Sequence, residues 1–240
     1  MQVVLLAAGL GSRLGALTAQ TPKALIQVDG QTLLARAARF AARLDPDEIV
    51  VVGGFGFQDV AAEVARLGGG LRLVENPHFR DGNLISLLAA RPFVRGDFLL
   101  MNVDHVYRPA VADRIAPPAE RVTAFIDVDR TLGADDMKVA RDGSGHVQAI
   151  SKTLTSFDAG YVGMTRVPAV ELPRYWAAAD AAIAEEGRAI HVERILARLA
   201  ASERPPACRD ISGIGWLEVD LPEERAHAET TIRSEPGAWS

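Results

Sequence analysis

Apolar residues run without interruption over positions 3–7 and give way to Ala8-Gly9. A short apolar run with no polar alternation predicts a strand buried on both faces, as in a parallel sheet. Similar runs occupy 48–52, ended by Gly53-Gly54, then 71–74, and Phe98–Asn102. Between them the period changes. Positions 32–44 carry apolar residues at helical spacing, with Arg36, Arg39 and Arg43 on another face. Positions 58–67 read as a second helix, stopped by Gly68-Gly69-Gly70. Strands alternating with helices predict an α/β fold that is Rossmann-like, a mixed but mostly parallel sheet with helices on both faces.

The second half changes character. Short strands are predicted at 122–128, 138–141, 147–152 and 159–165, with Asp142-Gly143-Ser144-Gly145 as a hairpin turn. Helices are predicted at 171–185 and 190–201, then a last strand at 216–219 and a helix opened by Pro222. No repeat, low-complexity tract or linker divides the chain. The expectation is one domain over 1–240, with a mostly parallel half at 1–120 and a mixed-sheet half at 121–240.

Composition narrows the class. At 240 residues, 48% hydrophobic and 24% charged, the chain has the balance of a soluble globular domain. No apolar stretch nears the roughly 18 residues that span a bilayer, and the N-terminus lacks the basic start of a signal peptide, so membrane insertion is not expected. The single cysteine, Cys208, excludes an internal disulfide and suits a reducing cytoplasm. A net charge of −5 argues against nucleic acid as partner, though local cations still set the field inside a cleft. A homodimer through the second half is neither demanded nor excluded by the residues.

Chemistry concentrates at the end of the first strand. Leu6-Ala7-Ala8-Gly9-Leu10-Gly11-Ser12 is rich in small residues that let backbone N–H groups approach a ligand. Arg13 and Lys23 follow, with Pro22 fixing the backbone before the lysine. A strand tip, a donor-rich loop and two cations predict a polyphosphate socket. It is not a P-loop, for Gly11 is followed by Ser12-Arg13, nor a GxGxxG turn, for Leu14 replaces the third glycine. Two carboxylates suit a divalent cation. Asp104 follows the fourth strand; Asp220 follows Trp216-Leu217-Glu218-Val219 and precedes Pro222, where it reads equally as a helix cap. Gly82-Asn83, opening a helix after the third strand, offers an amide and close backbone approach to a base.

The opening stretch, from Leu6 through Thr18 to Pro22-Lys23-Ala24-Leu25, resembles the signature of nucleotidyltransferases that join a nucleoside triphosphate to a phosphorylated small molecule. The resemblance implies Arg13 and Lys23 as catalytic cations on the triphosphate. It also implies Asp104 and Asp220, the latter in a late W-x-E-V-D-x-P-E-E stretch, as ligands of Mg²⁺. Within that family Gly82-Asn83, Ser86-Leu87-Leu88 and Asp104-His105-Val106-Tyr107 are similar to CTP:inositol-1-phosphate cytidylyltransferases. CTP and a phosphorylated small-molecule acceptor are the implied partners, with Lys152 on the acceptor phosphate and His105 and Tyr107 beside it. His105 reads equally as a group that orients Asp104. Asp136-Met137-Lys138 and Tyr161-Val162-Gly163 are also similar to cytidylyltransferases for phosphocholine or small phosphonates, and a sugar 1-phosphate with UTP or GTP is a further alternative. A choline cation needs aromatic faces, for which Tyr107, Tyr161 and Trp216 are the candidates. The rival of another class is a catalytically silent nucleotide-binding subunit.

Overall fold

The structure, a computed structural model, describes residues 1–239. In chain order the first half contains β1 (Gln2–Ala7), β2 (Gln27–Val28), β3 (Gln31–Thr32), α1 (Leu33–Ala42), β4 (Glu48–Gly53), α2 (Phe57–Leu67), β5 (Arg72–Glu75), α3 (Asn83–Ala90), β6 (Phe98–Asn102), β7 (His105–Tyr107) and α4 (Val111–Ile115). The second half contains β8 (Thr123–Asp127), β9 (Lys138–Arg141), β10 (Val147–Ser151), β11 (Ala159–Val167), α5 (Leu172–Glu186), α6 (Glu193–Ala200), β12 (Ala207–Asp210), β13 (Trp216–Glu218) and α7 (Pro222–Ser234).

The main sheet runs β10-β9-β11-β6-β1-β4-β5, with β8 on the other edge of β11 and β12 beside β8. β1 pairs in parallel with both β4 and β6, and β4 with β5; β11 then enters antiparallel to β6. The strand order of the first half reverses at β1, so a crevice opens at the carboxyl ends of β1 and β6. Along β1, Val4 and Leu6 face one core layer while Val3, Leu5 and Ala7 face the other. Both faces being covered explains the unbroken apolar run. α3, α5 and α6 pack on the first layer and α1, α2 and α4 on the second.

A third, smaller apolar cluster lies apart from the sheet. It gathers Leu14, Val28, Leu33, Val106, Val219, Ile232 and Trp239. Leu14 neighbours Arg13, Val106 is two residues from Asp104, and Val219 precedes Asp220. This cluster therefore joins the three segments that carry the charged groups of the crevice.

The predicted strands and most helices form within a residue or two of their expected bounds. One does not: 190–192 is not helical, and α6 begins at Glu193. β7, α4 and β12, three to five residues each, are too short to show a period in the sequence.

Candidate functional site

The loop after β1 is shaped for close approach. Gly11 has φ +66°, and a Cβ there would lie 2.8 Å from the Cβ of Lys23. Only glycine satisfies both the left-handed backbone and that contact. Thr18 Oγ1 donates to the Gly11 carbonyl at 2.7 Å, closing the loop over the 3-10 turn that carries Arg13. Lys23 opens a second 3-10 turn just after Pro22 and is buried.

Lys23, Arg13, Asp104 and Asp220 meet. The Lys23 Nζ lies 2.6 Å from Asp104 Oδ2 and also pairs with Asp220 Oδ1. Asp220 Oδ2 accepts from the Arg13 guanidinium. Asp220 does not cap α7, whose N-cap residue is Leu221; instead Glu224 of the first turn reaches back, its Oε2 accepting from the N–H groups of Asp220 (2.7 Å) and Leu221 (3.0 Å). Glu224 thus fixes the backbone that presents Asp220. Burial works against the charged form of Asp104, but the Lys23 ammonium and the His105 ring outweigh it and hold its carboxyl well below the ordinary range.

His105 is buried, with Nδ1 2.7 Å from Asp104 Oδ1. Its ring stacks on Tyr107 and Trp216 at centroid distances of 5.9 and 5.1 Å. Burial lowers its pKa, yet the Asp104 carboxylate prevails and the net shift is upward. Gly163 makes room for the ring: it sits at a bulge of β11 with φ +71°, and a Cβ there would meet His105 Cε1 at 2.8 Å. Tyr107 departs from its predicted place at the acceptor. It is buried behind His105, its ring tilted at 41° against Phe40 with centroids 5.0 Å apart, and its hydroxyl donates to the Val162 carbonyl at 2.6 Å. Three alternating residues after a short turn put His105 and Tyr107 on the same side of β7, so one shields the other.

A cleft of about 170 Å³ runs from these groups to Lys152, lined also by Asn102, Asp135, Tyr161, His191, Glu193 and Glu218. Lys152 stands at its mouth, half-exposed, 3.7 Å from Asp135 Oδ1; the other oxygen of Asp135 accepts from Arg13 at 2.7 Å. Lys152 and then Arg13 lower the Asp135 pKa. Among the described residues no cluster of three or more His, Cys, Asp or Glu side chains is arranged to hold a metal.

Gly82 and Asn83 have partners of their own. Gly82 N–H donates to the Arg188 carbonyl at 2.9 Å, and Asn83 Oδ1 accepts from Val192 N–H at 2.8 Å. These bonds lay residues 188–192 along the start of α3 and carry His191 and Glu193 to the cleft, where Asn83 also contributes to the wall. Upstream, Asn76 is buried after β5, its Nδ2 donating to Ser86 Oγ of α3 at 2.9 Å.

Sequence reasoning did not find Asp135, His191, Glu193 or Glu218, and it marked Lys138 only through a resemblance. Lys138 is buried, and its Nζ donates to the carbonyls of Gly133 (2.6 Å), Asp136 (3.3 Å) and Lys152 (2.9 Å). It staples the loop that bears Asp135 to the end of β10.

A family model for the MobA-like NTP transferase domain matches residues 3–156. The bifunctional IPC transferase and DIPP synthase of Rubrobacter xylanophilus is 34% identical over 235 residues, covering 95% of this chain and 51% of that protein. The CMP-5'-(3-aminopropyl)phosphonate synthase of Streptomyces rubellomurinus is 30% identical over 254 residues, covering 95% of this chain and 38% of that protein. The chain thus spans about half, or less, of the length of these curated relatives. Among solved structures, the inositol-1-phosphate CTP transferase from T. maritima shares the fold, with a TM-score of 0.82 at 18% identity over 98% of this chain and 96% of that one. With the match running from β1 through the end of β10, the chain belongs to the MobA-like NTP transferase domain family.

Proposed function

We propose that this chain is a cytidylyltransferase that transfers CMP from CTP to a small phosphorylated polyol of the inositol 1-phosphate class and releases pyrophosphate. The observation that carries the proposal is the meeting of Lys23, Arg13, Asp104 and Asp220 at the mouth of one glycine loop. In the reaction, an oxygen of the acceptor phosphate bonds to the α-phosphorus as the bond to the β-phosphate bridging oxygen breaks. Two anions approach each other, so the site must supply positive charge. Arg13 and Lys23 do so for the triphosphate, through charge-assisted hydrogen bonds worth about 1.5–3 kcal/mol each. Backbone N–H groups of Ala8, Gly9, Gly11 and Ser12 are assigned to the phosphates, Leu6 and Ala7 to the strand tip beneath them, and Gly82-Asn83 to the side of the base. Lys152 is assigned to the acceptor phosphate and His105 to orienting Asp104.

The donor set fits Mg²⁺. Asp104 Oδ2 and Asp220 Oδ1 both pair with the same Lys23 Nζ, so both carboxylates reach one cation, and their oxygens are the hard ligands magnesium takes. Two carboxylates without a third are the usual protein share when substrate phosphates complete the shell. Bound there, Mg²⁺ supplies the charge beside the α-phosphate that protein donors lack.

The aromatic side chains favour a polyol over choline. Trp216 is stacked by His105 and covered by the Arg130 guanidinium at 4.2 Å, which repels a quaternary ammonium. Tyr107 is turned to Val162, and the Tyr161 hydroxyl is paired with Thr165 Oγ1 at 2.8 Å. Beside Tyr161 the cleft presents Asn102, His191, Glu193 and Glu218, hydrogen-bonding groups suited to hydroxyls. Pyrophosphate release with CTP, UTP or GTP, each against inositol 1-phosphate, phosphocholine, a small aminoalkylphosphonate and glucose 1-phosphate, tests the proposal. Release is expected with CTP and inositol 1-phosphate; none with any pair leaves the silent nucleotide-binding reading.

A further inference from the structure

One carboxylate stands where two substrates' charges must meet. Asp135 bridges Arg13, a triphosphate cation, and Lys152, the acceptor-phosphate cation, through its two oxygens at 2.7 and 3.7 Å. Its side chain is 72% exposed, so neither burial nor packing holds it there. What holds it is the loop between β8 and β9. That loop is pinned from below by buried Lys138 on the carbonyls of Gly133 and Asp136, and by Asp136 Oδ2 accepting from Gly133 N–H at 2.6 Å. Leu132 of the same loop packs against Gly160 of β11, where a Cβ would lie 2.7 Å from it. A rigid base and a freely solvated tip are the features of an element that returns to one position yet yields at its end.

We propose that Asp135 is a built-in stand-in for phosphate: in the substrate-free enzyme it occupies the anion position between Arg13 and Lys152, and both substrates must displace it. This rests on the transferase reading for the identity of the substrates, but the competition itself concerns any phosphate-like anion. An exposed ion pair contributes at most about 1 kcal/mol, equivalent to roughly fivefold in binding. The gate is therefore a modest tax on affinity. It keeps the two cations from splaying apart under their own repulsion, and it raises by that same modest factor the substrate concentration needed to fill the site.

The test is Asp135→Asn, which keeps the shape and the loop and removes the charge, with Asp113→Asn on α4 as a control for net charge. Binding of inorganic pyrophosphate is measured by calorimetry at two salt concentrations, alongside steady-state kinetics with CTP and the acceptor. Asp135→Asn is expected to bind pyrophosphate about three- to fivefold more tightly than the parent and to lower KM for both substrates by a similar factor, with kcat held. The control is expected to change neither by more than about 1.5-fold. Unchanged pyrophosphate affinity in Asp135→Asn overturns the gate, as does a tenfold or larger fall in kcat, which would put Asp135 among the reacting groups. The outcomes separate from the transferase reading. A parent that releases pyrophosphate from CTP beside an inert Asp135→Asn refutes the gate alone, and tighter pyrophosphate binding without any turnover refutes the transferase alone.

Discussion

Lys23 carries two burdens that one substitution exposes separately. Its ammonium is the shared partner of Asp104 and Asp220, and it is also the proposed triphosphate donor. Lys23→Ala is expected to cut kcat by on the order of 10²–10³, the usual loss for one transition-state donor. It also leaves two partly buried carboxylates facing each other with Arg13 as their remaining cation. Magnesium should then raise the melting temperature of Lys23→Ala more than that of the parent, because the ammonium no longer competes for those oxygens. Thermal melts with and without magnesium read this directly; equal shifts in the two proteins would mean the carboxylates do not share a cation. Glu193 gives a prediction in pH. Burial raises its pKa above that of the unfolded chain, against the opposing pull of its own backbone N–H, His191 and Lys152. A carboxyl with a raised folded pKa contributes stability when protonated, fully below the unfolded pKa, and loses it as pH rises through the folded value. Glu193→Gln should therefore gain stability relative to the parent near neutral pH and lose that advantage at about pH 4. Melting curves at the two pH values check the sign. Arg13, Lys23 and Asp104 were legible from the chain because each sits beside a local run with its own spacing, whereas Asp220 read equally as a helix cap and was singled out only by the resemblance of its late stretch. Asp135, His191 and Glu193 were not legible, since nothing near them in sequence announces a cleft that only tertiary packing creates.

At the scale of elements, the start of α3 acts as a clamp on residues 188–192. A Cβ on Gly82 would lie 1.7 Å from the Ile190 carbonyl oxygen, a backbone atom with no rotamer by which to move away. Gly82→Ala is expected to cost about 1–3 kcal/mol or more, as overpacking does, and to be the most damaging small substitution in this turn. Asn83→Ala removes only the acceptor for Val192 N–H, a loss of about 1–2 kcal/mol. Because that bond aims His191 and Glu193, the variant should raise KM for the acceptor more than for CTP; a rise for CTP with the acceptor KM unchanged would return Asn83 to the nucleotide side alone. The clamp also explains what sequence reading missed here. Positions 190–201 carry helical spacing, but Ile190 and Val192 are buried in the core from an irregular segment whose backbone bonds to another element, and that partner is about 110 residues away. Strands β1, β4 and β6 were readable because burial on both faces leaves an unbroken apolar run, a signal that needs no knowledge of the partner strand.

At the scale of the molecule, the site depends on a core that is not the sheet's own. Arg13, Asp104 and Asp220 come from segments about 90 and 116 residues apart along the chain, and their shared apolar neighbours are Leu14, Val106 and Val219 in the third cluster, closed by Ile232 of α7 and by Trp239. Ile232 is 4% exposed, and its aliphatic side chain has no polar group with which to act on the charges of the crevice. Truncating it should cost about 2–5 kcal/mol through lost burial and the cavity left behind. In a chain of this size that is a fall of roughly 2–4 °C in melting temperature for each kcal/mol. A matched truncation in the second core layer, Ile115→Ala at 1% exposure, should destabilise to a similar degree. The two variants should part company in activity measured well below their transitions. Ile115→Ala leaves the register of Arg13, Asp104 and Asp220 intact and should keep kcat/KM within about twofold. Ile232→Ala loosens the packing that holds those three segments together, and a displacement of about 1 Å between reacting groups is enough to cost on the order of 10² in rate. Its kcat/KM should fall by at least tenfold while the fold persists. Equal losses in the two variants, or none in either, would mean that the third cluster is ordinary packing and that the charges of the crevice hold one another in place.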